Sequence, residues 1–461
     1  MSFFKAYDMR GTFGVDFDLE TVYKVGKALP QVVKGRRWLV GRDCRVTSKD
    51  VRDALVRGLV EQGVEVTDLG LCTTPMVYFF TAEDDFDGSV MITASHNPPG
   101  DNGLKVSKKT ALPVGYANGL GEVERVVESE SSNRLNVGLH LRPTPSSQPS
   151  LNPLNLLRYL NWMKARRSDL SSLSFAVDCS NGMASILVHE LFPNAIVIND
   201  TLDGAFPNHS PNPLKEESRR QLSELVRAKG LDCGVIFDGD ADRAMFVDER
   251  GEFVQPDYLI PVVARATMGF STQRHGDTEK IIHDVRTSRG AIEELKRMGC
   301  EPVMVPVGHA FAKPILREVG AVCGGELAGH YYFSEFHGCD SGVLAALRIL
   351  GEVAKAKQRG KTFSEMMQPI SGVYANSGEM NFKVADKDAA IGRVLAAAKE
   401  KLPTELSRSE MDGIRIEYAE GWVNIRKSNT EPYLRLIAEC DTRERLENWV
   451  SVLKEAIDDA R

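Results

Sequence analysis

The sequence predicts an α/β protein: three consecutive βαβ domains followed by a small C-terminal α+β domain. Three observations carry that reading: β-branched apolar runs alternate with helical patterns, the length exceeds one compact core, and the pattern changes near Gly372. The 461 residues are 42% hydrophobic and 26% charged, which is ordinary globular composition, and a chain this long divides into several domains.

In the first unit Trp38-Leu39-Val40 leads into the helix-like DALVRGLVEQG, with VEVTDLG and GSVMITAS as further strands. The second runs SFAVDC, helical ASILVHELF, AIVIND, helical KEESRRQLSELVRAKG and CGVIFD. The third runs KIIHDV, GAIEELKRMG, EPVMVPV and FAKPILREVG, and ends at GGELAGHYYF. Alternation at this spacing predicts mixed, mostly parallel sheets covered by helices, and three such units in a row suggest internal duplication. A Ser-, Pro-, Asn- and Thr-rich stretch from about 130 to 152 reads as a linker. After Gly372 the helical DAAIGRVLAAAKEKL, the strands IRIEYAE, WVNIRKS and YLRLIAEC, and the helix ERLENWVSVLKEAI describe an α+β unit. The expected domains are 1–148, 149–250, 251–368 and 369–461.

A net charge of -7 argues against nucleic-acid or anionic-membrane partners, so any phosphate site needs local basic residues. No secretory signal opens the sequence and no run approaches the roughly 20 apolar residues of a spanning helix. The eight cysteines are scattered without a CxxC pair, which points to reduced thiols in the cytoplasm and away from zinc.

Two loops carry chemistry. Thr93-Ala94-Ser95-His96-Asn97-Pro98 follows a strand, where α/β proteins place ligand loops. A serine there is either a nucleophile or an ordinary turn residue. His96 and Asn97 are donors for a phosphate, and Lys105 nearby suits a general base, although it is equally a solvated lysine beside Lys108 and Lys109. The second loop is Asp238-Gly239-Asp240-Ala241-Asp242-Arg243, directly after Val235-Ile236-Phe237. Three carboxylates on alternate residues repel unless a cation neutralises them, and hard oxygens select Mg²⁺ or Ca²⁺. An EF-hand needs Gly where Arg243 stands, and the Asp-x-Asp of a haloacid-dehalogenase phosphatase continues with Thr or Val where Asp242 stands.

Taken in order, FKAYDMRG, GRDCR, TASHNP, NGLK, DGDADR, GELAGH and RKSNTEP resemble the motifs of the α-D-phosphohexomutases, and the resemblance spans essentially the whole chain. Within that superfamily the chain looks most like bacterial phosphomannomutase/phosphoglucomutase. The resemblance implies four domains around a cleft, the last similar to TATA-binding protein. It implies that phospho-Ser95 gives its phosphoryl group to a sugar monophosphate, and that the hexose 1,6-bisphosphate turns over and returns its other phosphate. Asp238, Asp240 and Asp242, with the phosphorylated Ser95, match Mg²⁺ ligands. Lys105 and His330 match proton-transfer groups, and Arg10 and Arg243 match active-site arginines, with Tyr7 beside them. Glu326 matches the sugar-hydroxyl acceptor, and Arg426, Ser428, Asn429 and Thr430 match the grip on the non-reacting phosphate. His96, Arg286 and His309 complete the substrate contacts. The departures are Ala328 for a common serine, Arg286 for a lysine, and the absence of a basic residue from Val305 to Val307.

The expected reaction interconverts hexose 6- and 1-phosphates, with mannose favoured and glucose accepted, in a monomer or weak homo-oligomer. Phosphoglucosamine mutase is the alternative substrate class, and Leu327 speaks against its usual Gln. An aspartyl-nucleophile phosphatase explains only Asp238 and Asp240, and a non-catalytic sugar-phosphate binder needs neither Ser95 nor Lys105.

Overall fold

The computed structural model describes residues 3–131, 153–270, 278–428 and 433–458. Its strands form four sheets. The first three share one topology. A central strand (Arg37–Arg42, Phe175–Asp178 or Lys280–Asp284) pairs in parallel on one flank with Glu65–Leu71, Ile196–Ile198 or Glu301–Val305. On its other flank it pairs in parallel with Gly88–Ile92, Cys233–Phe237 or Cys323–Gly325. The chain then reverses into an antiparallel partner, Asp101–Lys108, Ala244–Asp248 or Tyr331–Phe333. This recurring strand order matches the threefold βαβ pattern read from the sequence.

Parallel and antiparallel pairings are therefore about even, and the sheets are less parallel than expected. The reversal follows the third strand each time, and its loop holds a candidate site residue in all three units: Ser95, then Asp238 to Asp242, then Glu326. Gly88–Ile92 and Cys233–Phe237 are buried at every residue, because both faces lie under helices, so they read as continuous apolar runs. The second sheet extends through Phe253–Val254, past position 250.

ASILVHELF is not one helix. It forms a turn at Met183–Ile186, breaks at Leu187 (φ -121°), and adds the short Val188–Leu191. Its start is tied elsewhere: Met183 N donates to Gly239 O (2.9 Å), which anchors it to the aspartate loop. Most of the expected linker, 132–152, lies outside the described residues, and its first residues finish the helix Leu120–Ser131.

One apolar core runs through the first three units, joining Phe79 and Phe80 to Tyr159, Phe246, Phe336 and Val343. The helix Gly342–Gln358, capped by Ser341, is buried along most of its length within it. The fourth sheet is antiparallel, in the order Ala375–Asn376, Leu434–Cys440, Gly421–Lys427, Ile414–Glu417, Ser407–Ser409, with Met380–Phe382 also on Leu434–Cys440. Helices Lys387–Lys401 and Arg443–Asp458 cover it over a separate core containing Val394, Trp449 and Leu453. This unit docks on the third through Leu327, Trp422 and Ile437, and through Arg415 Nη1, which donates to Val285 O (2.6 Å) and Thr287 O (3.1 Å). Among the described residues no helix is long and apolar enough to cross a membrane.

Candidate active site

The buried strand Gly88–Ile92 delivers Ser95 into the interior, where it has no solvent exposure. Its backbone sits at φ 50°, a left-handed conformation that costs a non-glycine residue free energy and persists only where neighbours enforce it. Thr93 Oγ1 accepts from Ser95 N (2.8 Å). Buried Arg45 does more: it donates to the carbonyls of Ser95 (2.8 Å), Asn97 (2.7 Å), Pro98 (2.6 Å) and Asp101 (3.0 Å). Asp43 pairs with its Nε side at 3.2 Å, and the Phe206 ring lies 5.0 Å from the guanidinium. Sequence reasoning noted GRDCR without giving Arg45 this role.

Ser95 Oγ donates to Asp238 Oδ2 (2.7 Å) and lies 3.3 Å from His96 Nδ1. The two loops meet backbone to backbone: a Cβ on Gly239 would fall 2.6 Å from Ser95 O, so only glycine permits the approach. Asp238, Asp240 and Asp242 are all fully buried, with one oxygen from each within 4.8 Å of the others. Lys105 Nζ bridges Asp240 (2.7 Å) and Asp242 (2.6 Å). Thr74 Oγ1 also donates to Asp240 (2.6 Å), a contact no motif announced. Arg243 reaches Asp238 and Asp242 only at 3.8 and 3.9 Å.

The charges explain the protonation pattern. Burial, reinforced by Asp240 and Asp242, pushes the Asp238 carboxyl well above the carboxylate range. Burial acts the same way on Asp240, but Lys105 outweighs it and the group ends low. Those carboxylates in turn overcome the burial of Lys105 and raise it, so the side chain stands as an ammonium between them. Burial, with Arg243, Arg10 and Lys105 nearby, drops His96 far below its ordinary value and leaves a neutral ring.

The third unit faces this cluster with Glu326 and His330. Glu326 accepts from Gly308 N (3.2 Å) and from the Tyr332 hydroxyl, and burial pushes its carboxyl up. His330 Nδ1 lies 2.7 Å from Asp340 Oδ2 and 3.8 Å from Asp242 Oδ1. Lys313 pairs with the other Asp340 oxygen at 2.7 Å, and Lys313 and His330 together overcome burial to hold Asp340 well down. A carboxylate only accepts, so the Asp340 contact places the ring proton on Nδ1. His309 is 6.2 Å, ring to ring, from both Tyr7 and His330, and burial beside Lys313 lowers it well below 6.5. Tyr7 donates to Val307 O (2.9 Å), while Asp412 of the fourth unit accepts from Val307 N (2.9 Å). Arg10 pairs with Asp8 (2.6 Å) and donates to Asn97 Oδ1 (3.1 Å) at the edge of the serine loop.

From the fourth unit comes buried Arg426, 3.4 Å from Glu379 and 4.0 Å from Asp412. Its Nε has no hydrogen-bond partner among the described residues. Arg286 pairs with Asp284 (2.6 Å) and Glu379 (2.9 Å) and lies 3.8 Å from Glu326. Glu379, which no motif marked, thus links the third unit to the fourth. Ser428 N donates to Tyr433 O (2.9 Å), while Asn429 and Thr430 lie outside the described residues.

The aspartate trio fits a divalent cation. Asp240 Oδ1 and Asp242 Oδ1 are buried without a hydrogen-bond partner among the described residues. Among the described residues Lys105 is the one cation in close contact with the trio, with Arg243 farther off, and the carboxylates present hard oxygen donors. Asp242, His330 and Asp340 form a second compact group, but Lys313 already supplies its cation.

Comparison with known proteins agrees with this geometry. Models of the phosphoglucomutase/phosphomannomutase family match four stretches: α/β/α domain I at 1–134, domain II at 157–251, domain III at 255–372 and the C-terminal domain at 379–456. The chain is 34% identical over 450 residues to a phosphomannomutase of Escherichia coli, covering 95% of this chain and 94% of that protein. It is 35% identical over 442 residues to a protein named phosphohexose mutases from Xanthomonas campestris pv. campestris (strain B100), with the same coverage. A crystal structure of a phosphoglucomutase/phosphomannomutase family protein from Burkholderia thailandensis superposes with TM-score 0.82 at 27% identity, over 99% of this chain and 97% of that one. A buried serine against a buried carboxylate trio, carried on this four-unit fold, therefore has its explanation: the chain belongs to the phosphoglucomutase/phosphomannomutase family and is an isomerase of hexose phosphates.

Proposed function

We propose that this enzyme interconverts hexose 6-phosphate and hexose 1-phosphate, with mannose favoured and glucose accepted, through a phosphorylated Ser95 and a hexose 1,6-bisphosphate. The observation that carries the reading is Ser95 Oγ, buried 2.7 Å from Asp238 beside Asp240, Asp242 and Lys105. Phosphoryl transfer needs alignment and charge neutralisation, and this cluster concentrates both. Asp238, Asp240 and Asp242, with the phosphoserine, would hold Mg²⁺, which neutralises charge on the transferring group.

Phospho-Ser95 gives its phosphoryl group to the free hydroxyl of a sugar monophosphate. The bisphosphate turns within the cleft, and its other phosphate returns to Ser95. Arg10, Arg243 and His96 flank the transferring group. Lys105, protonated between Asp240 and Asp242, supplies a proton to Ser95 Oγ as the phosphoryl group leaves. His330, with its Nδ1 proton engaged by Asp340, has Nε2 left to take the proton of the attacking hydroxyl. Glu326, with Arg286 and His309 near, reads the ring hydroxyls, and Arg426 with Ser428, Asn429 and Thr430 grips the phosphate that is not reacting. Tyr7 braces the 307 peptide behind them. The half-satisfied guanidinium of Arg426 supports its assignment to an anion. All eight cysteines are free thiols, seven of them buried, which supports a cytoplasmic protein; we read it as a monomer or weak homo-oligomer.

Intact mass of the purified chain and of Ser95→Ala tests the reading. The expected result is one phosphate on the parent chain, none on the variant, and most mutase activity lost with the fold retained. A phosphate-free parent that turns over at full rate, or a variant with near-normal turnover, overturns it.

A further inference from the structure

The hairpin that carries Ser428 is flanked by Arg426 and Arg435, which stand directly opposite each other on neighbouring strands. Like charges in that relation destabilise a sheet unless an anion lies between them. Glu379 is that anion. Its Oε2 lies 3.4 Å from Arg426 Nη2, its Oε1 lies 3.0 Å from Arg435 Nη1, and Oε2 also accepts from Arg286 Nη1 at 2.9 Å. Three guanidiniums from two folding units thus share one carboxylate, which they hold down at about 2 against its burial. The sharing is uneven: Arg286 has Asp284 at 2.6 Å as well, while among the described residues the carboxylates near Arg426 lie at 3.4 and 4.0 Å.

The reaction sets an unusual demand on this seat. It must hold one phosphate of the bisphosphate, release it, and accept the other after the sugar has turned. A seat of unopposed arginines would bind too well to let go, since grip that is equal in ground and transition states does not raise kcat. We propose that Glu379 is a positioning residue that tempers the phosphate seat, holding Arg286, Arg426 and Arg435 together while its fixed charge opposes the incoming phosphate. The proposal rests on the reading of Arg426 as the phosphate grip. Asp284 and Glu326 also lie near Arg286, and Asp412 near Arg426, but Glu379 is the carboxylate that all three guanidiniums share, so removing it takes one negative charge from beside each of them. A unit charge within several ångströms of a phosphate dianion shifts binding by at least about tenfold.

The test uses the full-length enzyme with mannose 1-phosphate and inorganic phosphate as probes. Calorimetry gives Kd, and steady-state kinetics give kcat and KM. Glu379→Gln keeps the shape and removes the charge. It should lower Kd and KM for mannose 1-phosphate about tenfold, lower kcat by a comparable factor, and make inorganic phosphate a stronger inhibitor. Glu379→Asp, which keeps the charge, should stay near the parent. Arg435→Gln should move the other way, with Kd raised and kcat not lowered, and it decides the matter alone if Glu379→Gln does not fold. A Glu379→Gln enzyme whose KM rises, or an Arg435→Gln enzyme that binds more tightly, overturns the proposal. Arg426→Ala separates the two readings. If it leaves Kd unchanged, the phosphate-grip assignment fails; if it weakens binding while Glu379→Gln does not tighten it, only the tempering role fails.

Discussion

Arg45 touches no expected reacting atom, yet Arg45→Lys should disable the enzyme. Lysine keeps the charge beside Asp43 and loses the planar fork, so the change isolates geometry. Two guanidinium nitrogens serve four carbonyls, at 2.8, 2.7, 2.6 and 3.0 Å. One ammonium serves about two of them, leaving about two carbonyls unpaired at about 1–3 kcal/mol each. Because Pro98 is exposed and water can serve its carbonyl, the lower half applies, about 2–4 kcal/mol of stability. Ser95 is held at φ 50° by this same set of bonds, so part of the loss should appear as misalignment. A tenfold to hundredfold fall in kcat, about 1.4–2.8 kcal/mol, is the expected share. Urea unfolding and a coupled mutase assay measure the two parts. An Arg45→Lys enzyme with an unchanged urea midpoint and kcat within twofold of the parent would show that the loop holds Ser95 without it.

Asp240→Asn should weaken Mg²⁺ affinity and rate together, since it removes one of three clustered charges; full activity in excess chelator contradicts the site. Glu326→Gln should change the ratio of kcat/KM between mannose and glucose phosphates, whereas Arg426→Ala should lower both about tenfold or more, because every substrate offers the same phosphate. The opposite pattern would reverse those two assignments. Burial holds the Asp257 carboxyl up at about 7, with Ser288 N donating to it at 2.9 Å. A raised native value means its contribution is whole below about pH 4 and is lost as pH rises through about 7. Asp257→Asn should lack this component of the pH dependence, gaining on the parent by up to about 4 kcal/mol between the two ends in urea titrations. Parallel pH profiles for the two proteins would mean that Asp257 does not titrate there.

Strand–helix alternation was legible because the inner strands Gly88–Ile92 and Cys233–Phe237 are buried on both faces, while helices such as Glu216–Lys229 bury one face only, so pattern follows burial. The serine and aspartate loops were legible because unusual residues cluster within a few positions. What escaped acts across long separations. Thr74 meets Asp240 over 166 positions, and Arg45 acts through carbonyls, which any sequence supplies. GRDCR was a signal for Arg45 without a partner to interpret it. Glu379 had no signal at all, since a glutamate at a strand edge is ordinarily solvated. The segment 184–192 was misread as one helix because its propensity is helical, while a bond from Met183, just before it, to the aspartate loop decides otherwise.

Asp238, Asp240 and Asp242 sit on one folding unit, and the ammonium and hydroxyls that answer them, from Lys105, Thr74 and Ser95, sit on another. Before the two units meet, the second carries three carboxylates at the end of a buried strand, with Arg243 of the same loop reaching Asp238 and Asp242 only at 3.8 and 3.9 Å. Water or a free cation must serve them until docking brings Lys105 in. Correct assembly is thus the step that makes burial of these carboxylates affordable, and a misdocked pair of units leaves them wet and the apolar seam open. The carboxylate cluster thus spans the joint between two folding units, so its neutralisation and the closing of the apolar seam are one and the same contact.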